Sequence, residues 1–233
     1  MSALAGTGAV GMLSPAPVDG RCDREILAWL SRCGQPVGSA LRRPNQVHGA
    51  LVLRAETLER SQSVDADGVW TQTPGEALAV VSADCAPVWI AASGCRAVAL
   101  VHAGWRGVAA GVINNAVAEL SRIGAGPSTL RAAIGPHLRP CCFEVGPEVA
   151  VQFADLPGAR LPVVALRAPS GRDDSWALDL GAAIIGQLRA HGIPGASIAC
   201  ASACTRCGSV LLHSYRRNGS GGPLMAAWAT LQT

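Results

Sequence analysis

The chain contains no lysine; all nineteen of its basic side chains are arginine. That absence excludes reactions built on a lysine amine: Schiff-base and pyridoxal chemistry, P-loop phosphate transfer, and kinases with a strand lysine. Charge is scarce, at 15% of residues against 49% hydrophobic, so a sizeable core can form and extensive disorder is excluded. The net charge of +3 is spread out, with no basic run beyond the pairs Arg42-Arg43 and Arg216-Arg217, which argues against a nucleic-acid partner. No apolar run reaches the roughly eighteen residues of a membrane span, so no membrane partner is expected. Residues 1–20 are rich in alanine and glycine and lack the positive and apolar regions of a secretory signal. Nine cysteines in such a chain are expected to be free thiols in a cytoplasmic protein rather than a disulfide framework.

At 233 residues the length suits one large domain, and neither a fixed-period repeat nor a long linker divides it. Residues 1–40 are expected to form a variable, partly loose segment with a short helix at Asp23–Leu30, and residues 41–233 a single catalytic domain. Strand signals occupy Gly49–Arg54, Glu76–Val81, Val88–Ala92, Arg96–Val101, Leu130–Ile134, Ser197–Ala201 and Val210–His213, with a polar turn at Ser61–Gly68 and a hairpin at Ser93-Gly94. Helical periodicity covers Val108–Leu120 and Leu178–His191, and a third helix opens near Pro147. Strands outnumber helices, and the expected class is an α/β (α+β) sandwich, a mixed sheet with helices packed on it.

Three residues carry the chemistry best: His48 in Gln-Val-His-Gly, Cys85 in Ala-Asp-Cys-Ala-Pro, and His102 in Val-His-Ala-Gly-Trp-Arg-Gly. Each stands at a strand end beside glycine or proline, where a side chain can face a cleft. Two imidazoles and a thiolate, with the fourth position left to water, form the pattern of a catalytic zinc, which lowers the pKa of that water toward ~7. Their spacing matches no local metal motif, so ordinary polar loop positions are the alternative. Arg106, in the turn feeding a helix, suits an anion such as phosphate, or a surface ion pair. Asp84 could orient a ligand histidine or cap a turn. Glu144 could carry a proton, although a carboxylate at a helix start is commonplace.

Cys200, Cys204 and Cys207 include a C-x-x-C without a second C-x-x-C or a paired histidine at zinc-finger spacing, which favours a structural or incidental role. Adjacent Cys141-Cys142 are expected to be packing residues. His137, His191 and His213 are expected in loops or on the surface, and Trp105 beside His102 in a pocket wall.

Taken in order, Gln46-Val-His-Gly49, Ala66-Asp-Gly68, Ala83-Asp-Cys-Ala-Pro-Val88, Val101-His-Ala-Gly-Trp-Arg-Gly107, Ile134-Gly-Pro136, Phe143-Glu-Val-Gly146, Cys204-Thr205 and Ser214-Tyr-Arg-Arg217 closely resemble the multicopper polyphenol oxidase (laccase-like) family, also called YfiH or DUF152. The resemblance runs from about Pro44 to Met225. It implies an α/β sandwich shared with certain cysteine hydrolases, and a metal triad on His48, Cys85 and His102. It also implies phosphorolysis of adenosine, inosine and methylthioadenosine to free base and ribose 1-phosphate, with deamination of adenosine. The partners would then be a small nucleoside and inorganic phosphate. The chain departs from the pattern in residues 1–40, which lack the family's Arg-x-Gly-Gly-Val-Ser. A second departure is Gly221-Gly222-Pro223, where the family has Thr-Gly-Arg; both bear on substrate contacts more than on the metal.

Three other readings compete. Copper is the weaker cofactor choice, because five histidines cannot furnish both the blue-copper site and the trinuclear cluster of a laccase. A hydrolase with Cys85 as nucleophile and His102 as base, acting on amides such as cell-wall precursors, uses the same atoms as the zinc enzyme. A non-enzymatic module with structural zinc would need a fourth protein ligand.

Overall fold

The computed structural model describes residues 4, 6–14, 22–35, 41–58, 64–154, 164–167, 174–208 and 212–232. In chain order, β1 (Ala9–Leu13) and α1 (Asp23–Arg32) precede β2 (Leu41–Arg42), β3 (Val52–Arg54), β4 (Gly68–Thr71) and β5 (Ala77–Ser82). A hairpin of β6 (Ala86–Ala92) and β7 (Ala97–Ala103) leads into α2 (Trp105–Ala109), α3 (Val112–Arg122) and β8 (Leu130–Ile134). Then follow β9 (Glu144–Val145), α4 (Pro147–Ala154), β10 (Val164–Arg167), β11 (Trp176–Leu178) and α5 (Leu180–Ala190). The last elements are β12 (Ile198–Cys200), α6 (Tyr215–Asn218) and β13 (Met225–Leu231).

Strand order is β12-β8-β6-β7-β4-β3 in a six-stranded sheet, β1-β13-β5-β2 in a four-stranded sheet, and β10-β11-β9 in a small third one. Side chains alternate across a strand, and β6 and β7 use both faces. Val88, Ile90, Ala99 and Val101 pack beneath α3 and α5, while Trp89, Ala91, Val98 and Leu100 pack against Leu78, Val80, Ala227 and Ala229 of the four-stranded sheet. The far face of that sheet, through Ala77, Ala226 and Trp228, buries Ile26, Trp29 and Leu30 of α1. The result is a mixed α/β sandwich of four layers: helix, sheet, sheet, helices.

Several strands differ from the sequence expectation. β13 runs as MAAWATL with all seven residues buried; a strand covered on both faces loses the period of two, and its alanines carry little strand propensity. β1 pairs with β13 from Ala9↔Leu231 to Leu13↔Ala227, so part of the segment expected to be loose is built into a sheet. β4 begins at Gly68, where the polar turn was expected to end. The strand expected at Val210–His213 lies partly outside the described residues, and Leu212 and His213 belong to no strand. The helix expected at Val108–Leu120 is two helices, parted at Gly111, whose φ of 90° is a left-handed conformation that glycine adopts without a Cβ clash.

Candidate metal centre

His102 is next to last in β7 and shares the face of Val98 and Leu100, so it points into the space between the two large sheets, at its open end. Cys85 immediately precedes β6, antiparallel to β7, with Ala86 paired to Ala103. The two strands therefore deliver the thiol and the imidazole to one place. His48 arrives on a loop anchored to β5 by Gln46, whose amide donates to the Val81 carbonyl and accepts from the Val81 N–H, both at 2.7 Å.

The ligand atoms of His48, Cys85 and His102 lie within 4.8 Å of one another. The Cys85 Sγ is 3.8 Å from His48 Nε2, and the two imidazole rings meet edge to face at 4.9 Å. A tetrahedral ion with metal–nitrogen and metal–sulfur bonds of ~2.0–2.3 Å needs donors about 3.5 Å apart, so the set fits a metal with little adjustment. A Cβ on Gly104 would come within 2.9 Å of the His48 ring and 3.0 Å of the Cys85 sulfur, which accounts for glycine two residues after His102.

One carboxylate organises all of this. Asp67, fully buried, accepts from the backbone N–H groups of Val47 (3.1 Å), His48 (3.0 Å) and Gly49 (2.6 Å). Consecutive N–H groups converging on an anion form a nest, and His48 holds φ at 60° within it. The other Asp67 contact is His102 Nδ1, which donates to Oδ1 at 2.7 Å. That fixes the tautomer and leaves Nε2 facing the thiol, the usual support of a metal-bound histidine. Burial alone would raise the Asp67 pKa; the hydrogen bond from His102, then the Gly49 N–H, the His102 charge and the Val47 N–H, hold it below the usual carboxylate range.

The electrostatics match. Burial opposes ionisation of Cys85, but the charge and hydrogen bond of His102, then those of His48, bring the thiol down to about 6. Burial likewise opposes charge on His102, and the Cys85 thiolate followed by Asp67 push it up to about 9. Without a metal, Cys85 and His102 form a thiolate–imidazolium pair; with one, the thiolate is already formed for coordination.

The triad opens on a cleft of about 550 Å³. Trp105, Leu138, Phe143 and Leu180 supply apolar wall, and Arg106, Tyr215 and Arg216 stand at its edge.

The family described as multi-copper polyphenol oxidoreductase laccase matches residues 23–230. The chain belongs to this family. It is 33% identical over 191 residues to the purine nucleoside phosphorylase YlmD of Geobacillus stearothermophilus, covering 78% of this chain and 69% of that one. It is 32% identical over 184 residues to the adenosine deaminase RL5 of an unknown prokaryotic organism, covering 76% and 69%. The crystal structure of the Geobacillus stearothermophilus YlmD superposes with a TM-score of 0.84 at 27% identity, over 100% of this chain and 94% of that one. That of a Neisseria meningitidis DUF152 protein gives 0.78 at 28% identity, over 98% and 92%.

Of the other residues singled out in the sequence, Arg106 lines the cleft of this family member, exposed, with its guanidinium 4.3 Å from the Trp105 ring centroid. Helix α2 beneath it has only five residues, so any attraction for an anion lies in the guanidinium itself and not in a helix dipole. Asp84 does not orient a histidine. Its carboxylate accepts from Thr205 Oγ1 at 2.5 Å and from the Arg216 N–H at 2.7 Å, and the histidine-orienting role belongs to Asp67. With φ at 86°, Asp84 instead turns the chain into Cys85 and ties it to the C-terminal segment. Glu144 lies in β9 rather than at a helix start, and it is absent from the cleft lining. His137 and His213 lie outside the helices and strands, as expected, but are buried rather than on the surface, and His191 contacts Asn114 at 3.1 Å.

Asp67 and Arg216 are the two residues whose roles the sequence did not disclose. The first carries no signal but its place in Ala-Asp-Gly. Arg216 reaches the cleft through the Ser214-Tyr-Arg-Arg217 turn, with its guanidinium 5.8 Å from the Phe143 ring centroid.

Proposed function

We propose that the chain is a zinc-dependent purine nucleoside phosphorylase that also deaminates adenosine. The observation that carries this reading is the His48–Cys85–His102 set, fixed by buried Asp67 and open to a cleft of about 550 Å³ with two arginines at its edge. The names borne by the relatives at about a third identity support the substrate class. Copper is the weaker choice, since one thiolate and two imidazoles without further histidines suit a single zinc. When bound, zinc supplies Lewis acidity at the open end of the triad.

The residues of the chain do the rest. In phosphorolysis a phosphate oxygen forms a bond to the ribose C1′ as the bond to the purine nitrogen breaks. Among the described residues, Arg106 and Arg216 are the cations lining the cleft that could hold that phosphate, Arg106 by a bidentate fork. Trp105, Phe143 and Leu138 give the purine an apolar wall. Deamination of adenosine adds water and releases ammonia, so it needs the triad but not the phosphate contacts. Nine free thiols suit a reducing cytoplasmic setting.

A second reading rests on the same atoms. Cys85 at about 6 and His102 at about 9, with Asp67 behind the imidazole, also describe a Cys–His–Asp nucleophile for amide hydrolysis. Release of purine base from adenosine and inosine, measured with and without phosphate in metal-loaded and metal-stripped protein, separates the two. The phosphorylase releases base only with phosphate and metal together. Amide cleavage that persists after stripping, with no phosphate-dependent base release, would establish the hydrolase instead.

A further inference from the structure

Away from the cleft the fold assembles a second set of thiols. Cys141, Cys142, Cys204 and Cys207 come from two loops far apart in sequence, yet all four sulfurs lie within 4.8 Å of one another. The adjacent pair expected to be packing residues is thus brought to the C-x-x-C that seemed to lack a partner, while Cys200 is not part of the set and contacts Arg139 instead.

We propose that these four cysteines bind a structural zinc ion as a Cys₄ site. In such a site four sulfurs at ~2.3 Å from the metal stand about 3.8 Å apart, close to the 3.5 Å between Cys141 Sγ and Cys207 Sγ. The same 3.5 Å is far beyond a disulfide bond of about 2.05 Å, and four sulfurs this close leave room for one ion and not for an iron–sulfur cluster.

The backbone is arranged for coordination. Residues Cys204-Thr-Arg-Cys207-Gly208 form a tight turn closed by the Gly208 N–H on the Cys204 carbonyl at 2.9 Å. A Cβ on Gly208 would strike that carbonyl at 2.5 Å, so the turn requires glycine. The two loops are already joined by a bridge of His137 with Cys204 and by the Thr205 N–H on the His137 carbonyl at 3.1 Å.

The position suggests what the ion would do. Cys142 precedes Phe143 in the cleft wall, and Cys204 precedes Thr205, which bonds Asp84 next to Cys85. Arg217 ties the same turn to α6 by donating to the Thr205 and Arg206 carbonyls at 3.2 and 3.0 Å. Zinc on the four thiolates would lock the loops that set both the cleft wall and the Asp84 turn, without touching substrate.

The test is metal content under zinc-replete, chelator-free conditions. Wild-type protein is expected to hold a second equivalent of zinc beyond the His48–Cys85–His102 ion. Cys85→Ala should retain the thiolate-bound equivalent, and Cys204→Ser or Cys207→Ser should lose that one alone. If the cysteine variants do not fold, cobalt loaded into Cys85→Ala decides the matter, because four thiolates on Co²⁺ give intense near-ultraviolet charge-transfer absorption. Absence of both zinc and that absorption from folded Cys85→Ala would overturn the proposal. So would a Cys141–Cys207 disulfide in the zinc-replete protein, or rapid alkylation of all four thiols in it.

Discussion

At Asp67 one buried carboxylate accepts four hydrogen bonds and thereby places both histidines of the triad. Asp67→Asn keeps the volume but loses the charge that fixes the His102 tautomer. Loss of such a supporting contact typically weakens metal binding about 10- to 100-fold, which chelator competition measures; unchanged affinity would refute the role. Cys85 gives a pH signature. In metal-stripped protein its thiolate forms as pH rises through about 6, so its alkylation, followed at the Cys85 peptide, should rise with a midpoint near 6 and not near 9. Metal should block the reaction above that midpoint and lose its hold as pH falls below it and the thiol reprotonates. Arg106→Ala should weaken phosphate use by about 10- to 150-fold, the cost of a lost charge-assisted contact of roughly 1.5–3 kcal/mol, with triad metal unchanged and deamination much less affected. Equal loss of both activities would remove the phosphate role. The sequence makes the three candidate ligands legible because each sits in a glycine- or proline-flanked word that marks a strand end. It could not make Asp67 legible, since three of the four partners of that carboxylate are backbone N–H groups, which any sequence possesses, and the fourth, His102, is far away in the chain.

Among the elements, legibility follows punctuation by turn residues. β6, β7 and β8 stand out as apolar runs punctuated by turn residues, and α5 as a periodic stretch stopped by Gly192 and Pro194. β13 escapes such a reading, because a strand covered on both faces and rich in alanine has neither alternation nor strong strand propensity; β1, AVGML with only Ala9 buried, is a short edge strand interrupted by Gly11. The α2–α3 break was missed for a different reason: Gly111 leaves the helical period on either side intact while its φ of 90° redirects the chain. The cap of α5 permits a direct check. The Asp179 carboxylate accepts from the Ala182 N–H at 2.9 Å, and such a cap contributes about 1 kcal/mol. Asp179→Ala should lower the free energy of urea unfolding by about that much, and an unchanged midpoint would show that the cap contributes nothing.

For the whole molecule, the layers explain why the centre lies where it does. Two sheets packed face to face leave an open end where β6 and β7 run out, and Cys85 and His102 are placed there by strand pairing while His48 is tied in by Asp67. The fold class was legible from composition and the excess of strands; the stacking of one sheet on the other was not, because it depends on which long-range strands pair. All nine cysteines are free of disulfides in the fold, so thiol titration under denaturing, non-reducing conditions should find them unpaired, and predominant disulfides would contradict the reducing setting proposed above. The central claim is that the triad metal and phosphate act together on a nucleoside, and phosphorus NMR of inosine, inorganic phosphate and the protein tests it most directly. The account predicts a growing ribose 1-phosphate signal with metal-loaded wild type, lost on stripping, restored by zinc, and absent with Cys85→Ala. Base release with no phosphorylated sugar, or a ribose 1-phosphate signal undiminished in metal-free Cys85→Ala, would contradict it.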